Sequence, residues 1–422
     1  MTIRFTNGVC STYLTRRRGP NIYIGKRAYS AFRVCGFTGL VLAVLLAVSL
    51  VVYLGLSQIV MAGIMIAAVA TFLVLAMVTK IVIGEEQLIY YHHEIAIMLV
   101  ATMVLWLLNQ PILPYLDITI LAIGTFLMCG RIGCLMVGCC HGRPNHFGVC
   151  YGEEHAHAGF TPYYVGVRLF PIQAVESLWV LGTVLVGIAM VVLDYPPGSA
   201  LAWYIITYDI GRFFFEFMRG DPTRHYWKGF SEGQWTSVLL MLVVVALELS
   251  GRVPYESWHL VTTGLLVLTM TGIALNRRLQ KITKYQLTNP RHIRELAEAM
   301  RAVSGSATIQ HHSSSGSEVS STIPVRSTSL GILVSADQST ERVSELEHYA
   351  LSCKDGKMTD EIARTVADII LTIKRSLRLK EFIKGEHGVY HLVLCRDPLA
   401  TVGTRQAGPS TARAALTPGA SC

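Results

Sequence analysis

The stretch from residue 130 to 150 holds the side chains best suited to chemistry, an arginine followed by a group of cysteines and histidines. It reads GRIGCLMVGCCHGRPNHFGVC and closes a long apolar run. An arginine at the centre of a membrane helix costs roughly 2.5–3.5 kcal/mol on insertion scales. We therefore expect Arg131 to face a polar cavity or an anionic partner. Small residues such as Gly133 and Gly138 would let neighbouring helices approach closely.

The cysteines and histidines of this stretch are candidate metal ligands, or a thiol switch in a membrane sensor. They are Cys134, Cys139, Cys140, His141, His146 and Cys150. Their spacing is irregular and contains no Cys-x-x-Cys pair, and the adjacent residues Cys139 and Cys140 are poorly placed to bind one tetrahedral ion. The alternative interpretation is that the thiols are small side chains that pack between helices. Both interpretations stay open on the sequence.

A second polar group, YYHHE at residues 90–94, lies where the third apolar run begins. A neutral imidazole is the side chain best suited to accept a proton near pH 7, and a neighbouring carboxylate raises its basicity. His92 and His93, beside Glu94, are therefore candidate general bases. The structural alternative is that these aromatic side chains only form the belt at the membrane surface.

Two later spans carry polar side chains at helical spacing, namely Gln173 and Glu176 in one and Tyr208, Arg212 and Glu216 in the other. Residues three or four apart share a helix face. One interpretation is an Arg212–Glu216 pair that only neutralises a buried charge. The other follows from recurrence, because Arg131 and Arg212 both lie in apolar runs and can point to one interior. Two convergent arginines favour an anionic ligand, most simply a lipid phosphate.

Composition assigns the chain to the membrane proteins, because 52% of its residues are hydrophobic, 15% are charged and the mean hydropathy is +0.45. We expect eight spans of roughly 20 residues each. They lie near residues 34–54, 57–79, 95–113, 115–136, 172–193, 199–218, 236–250 and 258–276. Residues 1–33 lack the apolar core and cleavage site of a signal peptide, so the first span is expected to remain as an anchor.

The distribution of lysine and arginine predicts the orientation. The first 33 residues contain seven of them and no acidic residue, which favours a cytoplasmic N-terminus. The segment after the last span is also basic, and two basic ends on one side require an even number of spans. The net charge of +8 then reflects attraction to anionic lipid headgroups, and nothing indicates nucleic-acid binding.

The predicted fold class is an all-α polytopic membrane protein, a bundle of about seven to eight transmembrane helices with a small soluble C-terminal α/β module. The predicted segments are a basic tail, the bundle, a basic and Ser-rich linker, the module and a disordered tail, at residues 1–33, 34–276, 277–330, 331–400 and 401–422. In the module, Thr359 is a suitable N-cap for a helix. Because the linker separates the two parts, the tail from about Arg301 is expected to be dispensable for lipid chemistry.

Four motifs resemble, in their order, those of the prolipoprotein diacylglyceryl transferase family: GRIGCLMVGCCHGRP, FPIQAVE, YDIGRFFFEFMRGD and SEGQWTS. The similarity runs from about His92 to Ser237. It implies a multi-pass protein of the plasma membrane, the inner membrane of a bacterium. It also implies transfer of a diacylglyceryl group from phosphatidylglycerol to the lipobox cysteine of a prolipoprotein, with release of glycerol phosphate and no cofactor.

The resemblance implies roles for individual residues. Arg131 and Arg212 match the family's two essential arginines, and Tyr208 matches its tyrosine one turn before the second. His92 matches the catalytic histidine, with His93 as the neighbouring choice. The matches taken as substrate-binding are Gly133, Gly138, Gly142, Arg143, Gln173, Glu176, Glu216 and Gln234. In this interpretation a histidine takes the proton of the acceptor thiol, the arginines stabilise the leaving phosphate, and the first two glycines give the lipid glycerol room.

Four positions differ from the pattern that the resemblance implies. Cys134 and Cys139 stand where the family has asparagine and glutamate. Phe170 stands in place of a histidine, and Cys35 in place of a tyrosine. A thiol orients a phosphate or holds a proton less well than an amide or a carboxylate. The alternatives are therefore a Cys/His metal or redox sensor with the soluble module as its output, and a catalytically inactive relative that binds lipid.

Overall fold

The computed structural model describes the chain at residues 19–83, 90–279, 284–310, 324–337, 346–354, 358–374 and 377–396. Predictions about residues 1–18, the Ser-rich run at 311–323 and the tail at 401–422 fall outside these ranges. Within them the chain is mostly helical, and a small sheet follows the membrane helices.

Nine helices precede residue 280 in the described ranges. They are α1 (Ala31–Tyr53), α2 (Gln58–Ile83), α3 (Tyr90–Leu107), α4 (Ile112–Val137), the short α5 (Glu153–His157), α6 (Ile172–Val192), α7 (Ser199–Met218), α8 (Glu232–Leu249) and α9 (Ser257–Leu279). Seven are long and apolar enough to cross a membrane. Helix α7 is long enough as well but carries three charged residues, Asp209, Arg212 and Glu216. The predicted fold class, a bundle of about seven to eight transmembrane helices, is confirmed.

Helix α4 lies at the centre of the bundle, and small residues set how closely its neighbours approach. A Cβ atom added to Gly39 of α1 would lie 2.8 Å from the Cβ atom of Cys129 on α4. A Cβ atom added to Gly124 of α4 would lie 2.5 Å from the ring of Tyr204 on α7. Real side chains do not come this close, so these positions require glycine for the helices to pack as they do.

Three two-stranded antiparallel sheets of the described residues lie at one end of the bundle, which we call the site end. They are β1–β2 (Asn21–Ile24, Arg27–Ser30), β3–β4 (Pro144–Cys150, Arg168–Leu169) and β5–β6 (Tyr226–Trp227, Phe230–Ser231). Helix α1 begins at this end and α9 finishes there, where Arg277 donates a 2.5 Å hydrogen bond to the carbonyl oxygen of Gly229. Both termini of the bundle are thus on one side, as an even number of spans requires. Which face of the membrane this end meets stays a prediction.

Within its described residues, the C-terminal module contains three α-helices and a five-stranded antiparallel sheet. The helices are α10 (Lys284–Leu287), α11 (Pro290–Gln310) and α12 (Asp360–Ile373). The strands are β7 (Val325–Ser327), β8 (Ile332–Asp337), β9 (Leu346–Cys353), β10 (Leu377–Lys384) and β11 (Tyr390–Arg396), in the order β10-β11-β9-β8-β7. Thr359 caps α12, since its hydroxyl oxygen accepts a 3.3 Å hydrogen bond from the Ile362 N–H.

Part of the segment expected to be a linker has regular structure instead. Helix α11 occupies residues 290–310, and β7 pairs with β8. Leu296 and Met300 of α11 are buried in an apolar core that also contains Leu135 and Tyr164 from the site end of the bundle. The module therefore packs against the membrane part through this shared apolar core.

Candidate active site

Arg131, near the end of α4, and Arg212, on α7, point to the same buried carboxylate. Arg131 Nε lies 3.1 Å from Glu176 Oε2, and Arg212 Nη1 lies 3.5 Å from Glu176 Oε1 on α6. All three side chains are more than nine-tenths buried. The two arginines therefore converge as expected, and their shared partner within the protein is a residue of the second matched motif.

Four more charged residues extend this contact. We use the name arginine cluster for the set Arg131, Glu176, Arg212, Glu216, Arg219, Asp221 and Arg224. Arg212 Nη2 lies 2.7 Å from Glu216 Oε1, which is the intrahelical pair considered from the spacing. Arg224 contacts both Glu216 and Asp221, and Arg219 Nε lies 2.9 Å from Asp221 Oδ1. Burial would raise the pKa of Asp221, but Arg219 and Arg224 hold it well below its usual value.

The arginine cluster has a net positive charge, since it contains four arginines and three carboxylates. Arg212 Nε and Arg219 Nη1 are buried without a hydrogen-bond partner among the described residues, as is one acceptor, Glu216 Oε2. An unpaired buried donor costs roughly 1–3 kcal/mol. A positive surplus with unused N–H groups suits an anion such as a phosphate, which guanidinium groups bind through paired donors.

An apolar cavity of about 410 Å³ ends at the arginine cluster. Its walls come from α1, α2, α3 and α4, and apolar side chains of α1 and α2 form much of its lining. Its polar end is lined by Arg131, His93, Glu94, Cys134 and Cys140. A hydrocarbon chain bound along the apolar walls would therefore place its polar headgroup against the arginine and the histidine.

The two candidate bases occupy different surroundings. His93 is buried and lines the cavity that ends at Arg131. The side chain of His92 is half exposed, and its Nε2 atom lies 2.6 Å from Glu232 Oε1 on α8. Glu232 lines a second cavity, of about 440 Å³, beside the β5–β6 hairpin. The geometry thus groups Arg131 with His93 and separates it from His92.

The remaining polar residues matched by the resemblance hold the backbone and the carboxylates of the site. The hydroxyl of Tyr208 donates a 3.1 Å hydrogen bond to Glu176 Oε1. Gln173 Nε2 donates to the carbonyl oxygen of Cys139 (2.9 Å), which ties α6 to the turn after α4. Gln234 donates to the Phe213 carbonyl oxygen (3.2 Å) and so links α8 to α7. These side chains position the loops around the arginine cluster.

The three glycines matched as substrate-binding, Gly133, Gly138 and Gly142, lie at close contacts or at a helix end. A Cβ atom on Gly133 would lie 3.1 Å from Phe32 Cα on α1, and one on Gly142 would lie 2.3 Å from the Phe170 carbonyl oxygen. Gly138 ends α4 with a φ of 88°, a left-handed conformation that favours glycine. These three residues therefore serve close packing and chain reversal. That Gly133 and Gly138 also give a lipid glycerol room stays a prediction.

Arg143 was also matched as substrate-binding, and the structure places it beside the arginine cluster. Its Nε atom donates a 3.2 Å hydrogen bond to the carbonyl oxygen of Arg219. Its guanidinium group lies 5.6 Å from the ring centroid of Tyr285 on α10. Arg143 thus connects the loop after α4 both to the cluster and to the C-terminal module.

Three thiols converge beside the cluster. The Sγ atoms of Cys134, Cys139 and Cys140 all lie within 4.8 Å of one another, and none of the three forms a disulfide. Hydrogen bonds from Cys134 and Cys139 lower the pKa of the Cys140 thiol well below its usual value. Burial opposes this shift, and the positive charges of Arg219 and Arg131 add to the effect of the hydrogen bonds.

The other three candidate metal ligands are engaged elsewhere or stand apart from this group. His141 Nδ1 donates to the Gly142 carbonyl oxygen (2.9 Å), and its Nε2 lies 3.3 Å from the Thr161 hydroxyl. Burial lowers the pKa of His141, so this side chain is neutral at pH 7. His146 is exposed on β3, and Cys150 is disulfide-bonded.

Arg219, Asp221 and Arg224 of the arginine cluster are not among the site residues predicted from the sequence. The first two belong to the quoted run FMRGD, but they follow the end of α7 and so have no helical periodicity to mark them. The isolated bridge between Gly142 and Arg219 brings this run next to the loop after α4. A concentration of arginine and aspartate directly after a span that already contains a buried arginine is the signal that would have found them.

Fold and site together define a multi-pass membrane protein with a buried, positively charged centre at the polar end of an apolar cavity. The family model of prolipoprotein diacylglyceryl transferase matches residues 24–249, which is more than half of the chain. The chain belongs to the prolipoprotein diacylglyceryl transferase family.

Two curated relatives are similar to part of the chain. Phosphatidylglycerol–prolipoprotein diacylglyceryl transferase 2 of Clostridium perfringens is 33% identical over 131 residues, which are 29% of this chain and 48% of the relative. Phosphatidylglycerol–prolipoprotein diacylglyceryl transferase of Clostridium tetani is 30% identical over 119 residues, 27% of this chain and 44% of the relative. The chain spans a little under half the length of these relatives.

Proposed function

We propose that this protein transfers a diacylglyceryl group from phosphatidylglycerol, or a similar phospholipid, to the cysteine thiol of a prolipoprotein at the plasma membrane. The observation that carries the proposal is the apolar cavity that ends at Arg131 and His93. It combines space for acyl chains, a cation for the phosphate and a base for the thiol in one place. The names of the two relatives state the same donor and acceptor for those proteins.

The chemistry begins with the acceptor thiol. An unperturbed thiol has a pKa near 8.5, so only a few per cent is thiolate at pH 7. In the proposed reaction His93 takes the thiol proton while the sulfur attacks the terminal glyceryl carbon of the lipid. The carbon–sulfur bond forms as the bond between that carbon and the phosphate oxygen breaks. Glycerol phosphate leaves with the electron pair of the broken bond.

The arginine cluster would stabilise the charge that develops on the leaving phosphate. Its unused donors, Arg212 Nε and Arg219 Nη1, are already desolvated and fixed by ion pairs, so little reorganisation is needed when charge develops. Arg131 lines the cavity itself and is the arginine that would contact the phosphate directly. Glu176 would orient Arg131 and Arg212 through the contacts it makes with both.

Complementation tests this proposal in cells. A bacterium depleted of its own diacylglyceryl transferase should recover growth when it expresses this chain, and a reporter lipoprotein should gain the mass of a diacylglyceryl group. A reporter whose lipobox cysteine is replaced by serine is the matched control and should gain no mass. Full membrane expression without any lipidation of the cysteine reporter would favour the alternative of an inactive relative that binds lipid.

A further inference from the structure

We propose that Cys134, Cys139 and Cys140 form a zinc site with three thiolate ligands and an open fourth position. This site is additional to the arginine and histidine chemistry above and departs from the expectation that no cofactor is needed. Thiolates select soft metal ions, and three protein ligands with one open position are typical of catalytic zinc. Among the described residues, these three are the group of cysteine, histidine and acidic side chains that meets the distance expected for ligands of one ion.

The backbone explains how two adjacent cysteines can reach one ion. Gly138 has a φ of 88° and Cys140 a φ of 53°, so two left-handed residues flank Cys139. This turn brings the Cys139 and Cys140 sulfurs to the same side, where Cys134 reaches them from the last turn of α4. Sulfurs bound to zinc at 2.3 Å lie roughly 3.8 Å apart, so closing from within 4.8 Å needs only small side-chain movements. A left-handed cysteine is uncommon and strained, and a shared ligand gives a reason for it.

Charge around the three thiols is compatible with such a site. Three thiolates and one Zn²⁺ carry a net charge of minus one. The guanidinium groups of Arg131 and Arg219 are near enough to interact electrostatically with Cys140. A buried negative centre is stable only beside positive groups of this kind. Cys134 and Cys140 also line the 410 Å³ cavity, so the fourth position would open into the space assigned to the lipid.

The zinc site would also have a role in catalysis, and this part of the inference rests on the proposed function. The cysteine thiol of the acceptor would occupy the fourth position. Zinc would then deprotonate it, as it does a bound thiol. The proton goes to a base in the cavity, and the sulfur, as thiolate, attacks the glyceryl carbon. The carbon–sulfur bond forms, the carbon–oxygen bond to the phosphate breaks, and glycerol phosphate leaves. The product is a thioether, a weaker ligand that can dissociate from the metal.

Metal analysis of the detergent-purified full chain tests the site without reference to activity. We expect about one zinc per chain, and at least a tenfold lower zinc content in Cys139→Ser and Cys140→Ser. Cys353→Ser, in the C-terminal module, is the matched control and should keep the metal. No zinc in the unaltered protein, copper in its place, or undiminished zinc in both variants overturns the proposal.

A cobalt-loaded protein separates this inference from the proposed function and does not depend on variants that fold. Co²⁺ bound by three thiolates gives an intense sulfur-to-metal charge-transfer band. A lipobox peptide with cysteine should change the visible spectrum, whereas the same peptide with serine should not. A thiolate-type spectrum in a protein that transfers no lipid would refute the function alone. Undiminished lipid transfer by protein stripped of its metal would refute the catalytic role of the zinc alone.

Discussion

Helix α4 carries a buried charged residue near each end, and the two residues differ in their partners. At one end, Asp117 accepts hydrogen bonds from the backbone N–H groups of Gly198 and Leu201, both at 2.7 Å. At the other, Arg131 belongs to a cluster with surplus positive charge and unused N–H donors. The first N–H groups of a helix lack intrahelical partners, so Asp117 completes the start of α7. The structural charge is satisfied within the protein, whereas the arginine cluster keeps buried donors without hydrogen-bond partners among the described residues.

Lysine in place of Arg131 should have the largest effect on activity. It keeps the charge but removes the planar fork of donors, so we expect lipid transfer to fall on the order of 10³-fold with the fold intact. Arg252→Lys, on an exposed residue at the opposite end of the bundle, is the matched control and should transfer normally. Normal transfer by both Arg131→Lys and Arg212→Lys would show that the cluster is only structural, like Asp117.

Replacement of His93 should slow lipid transfer more than replacement of His92. His93→Gln removes the base from the cavity and should slow transfer on the order of 10²-fold, because proton removal by a placed base contributes at least that much. His92→Gln loses only a half-exposed contact with Glu232 and should slow transfer less than tenfold, a modest loss by comparison. Transfer rates with a lipobox peptide measure both variants. The opposite order would assign the proton to His92, the choice that the motif alignment favours.

Truncation after Met300 tests whether the C-terminal module stabilises the bundle. The cut divides α11 and removes the sheet that covers Leu296, so buried apolar side chains become exposed. We expect the thermal midpoint to fall by roughly 5 °C or more, since burial of a few such side chains contributes several kcal/mol. Unchanged stability and activity would restore the earlier expectation that the tail from Arg301 is dispensable.

Asp117→Asn should have the smallest effect and act on stability alone. The amide retains one acceptor oxygen but turns its NH₂ group towards a backbone donor, which should cost roughly 1–3 kcal/mol of unfolding free energy. Transfer per folded molecule should not change, because the site lies at the other end of α4. Thermal unfolding and transfer rate, measured on the same preparation, separate the two effects. A loss of transfer without loss of stability would contradict the division between the two ends.

Long apolar runs made the bundle predictable. Where a helix extends into polar residues, the apolar run did not predict its end. Helix α3 begins at Tyr90, five residues before the span predicted near 95–113, because buried polar residues such as His93 and Glu94 are hidden from a hydrophobicity pattern. Helix α11 has few apolar residues, so its sequence resembles a linker, and the sheet that covers those residues lies later in the chain.

At the site, the residues that take part were easier to predict than the contacts between them. The convergence of Arg131 and Arg212 followed from the cost of burying each one in an apolar run. That Glu176 joins them depends on how α6 packs against α4 and α7, which no local pattern encodes. The grouping of three thiols likewise depends on the left-handed backbone at Cys140, and the sequence argued against it.

Transfer by the purified chain in lipid vesicles tests the central claim most directly. The full chain is reconstituted with phosphatidylglycerol and offered a peptide with a lipobox cysteine, and the peptide is weighed by mass spectrometry. The account predicts a gain of one diacylglyceryl group on the cysteine, release of one glycerol phosphate, and a rate on the order of 10³-fold lower for Arg131→Lys. No mass gain in well-folded protein, or equal rates for the two proteins, would contradict it.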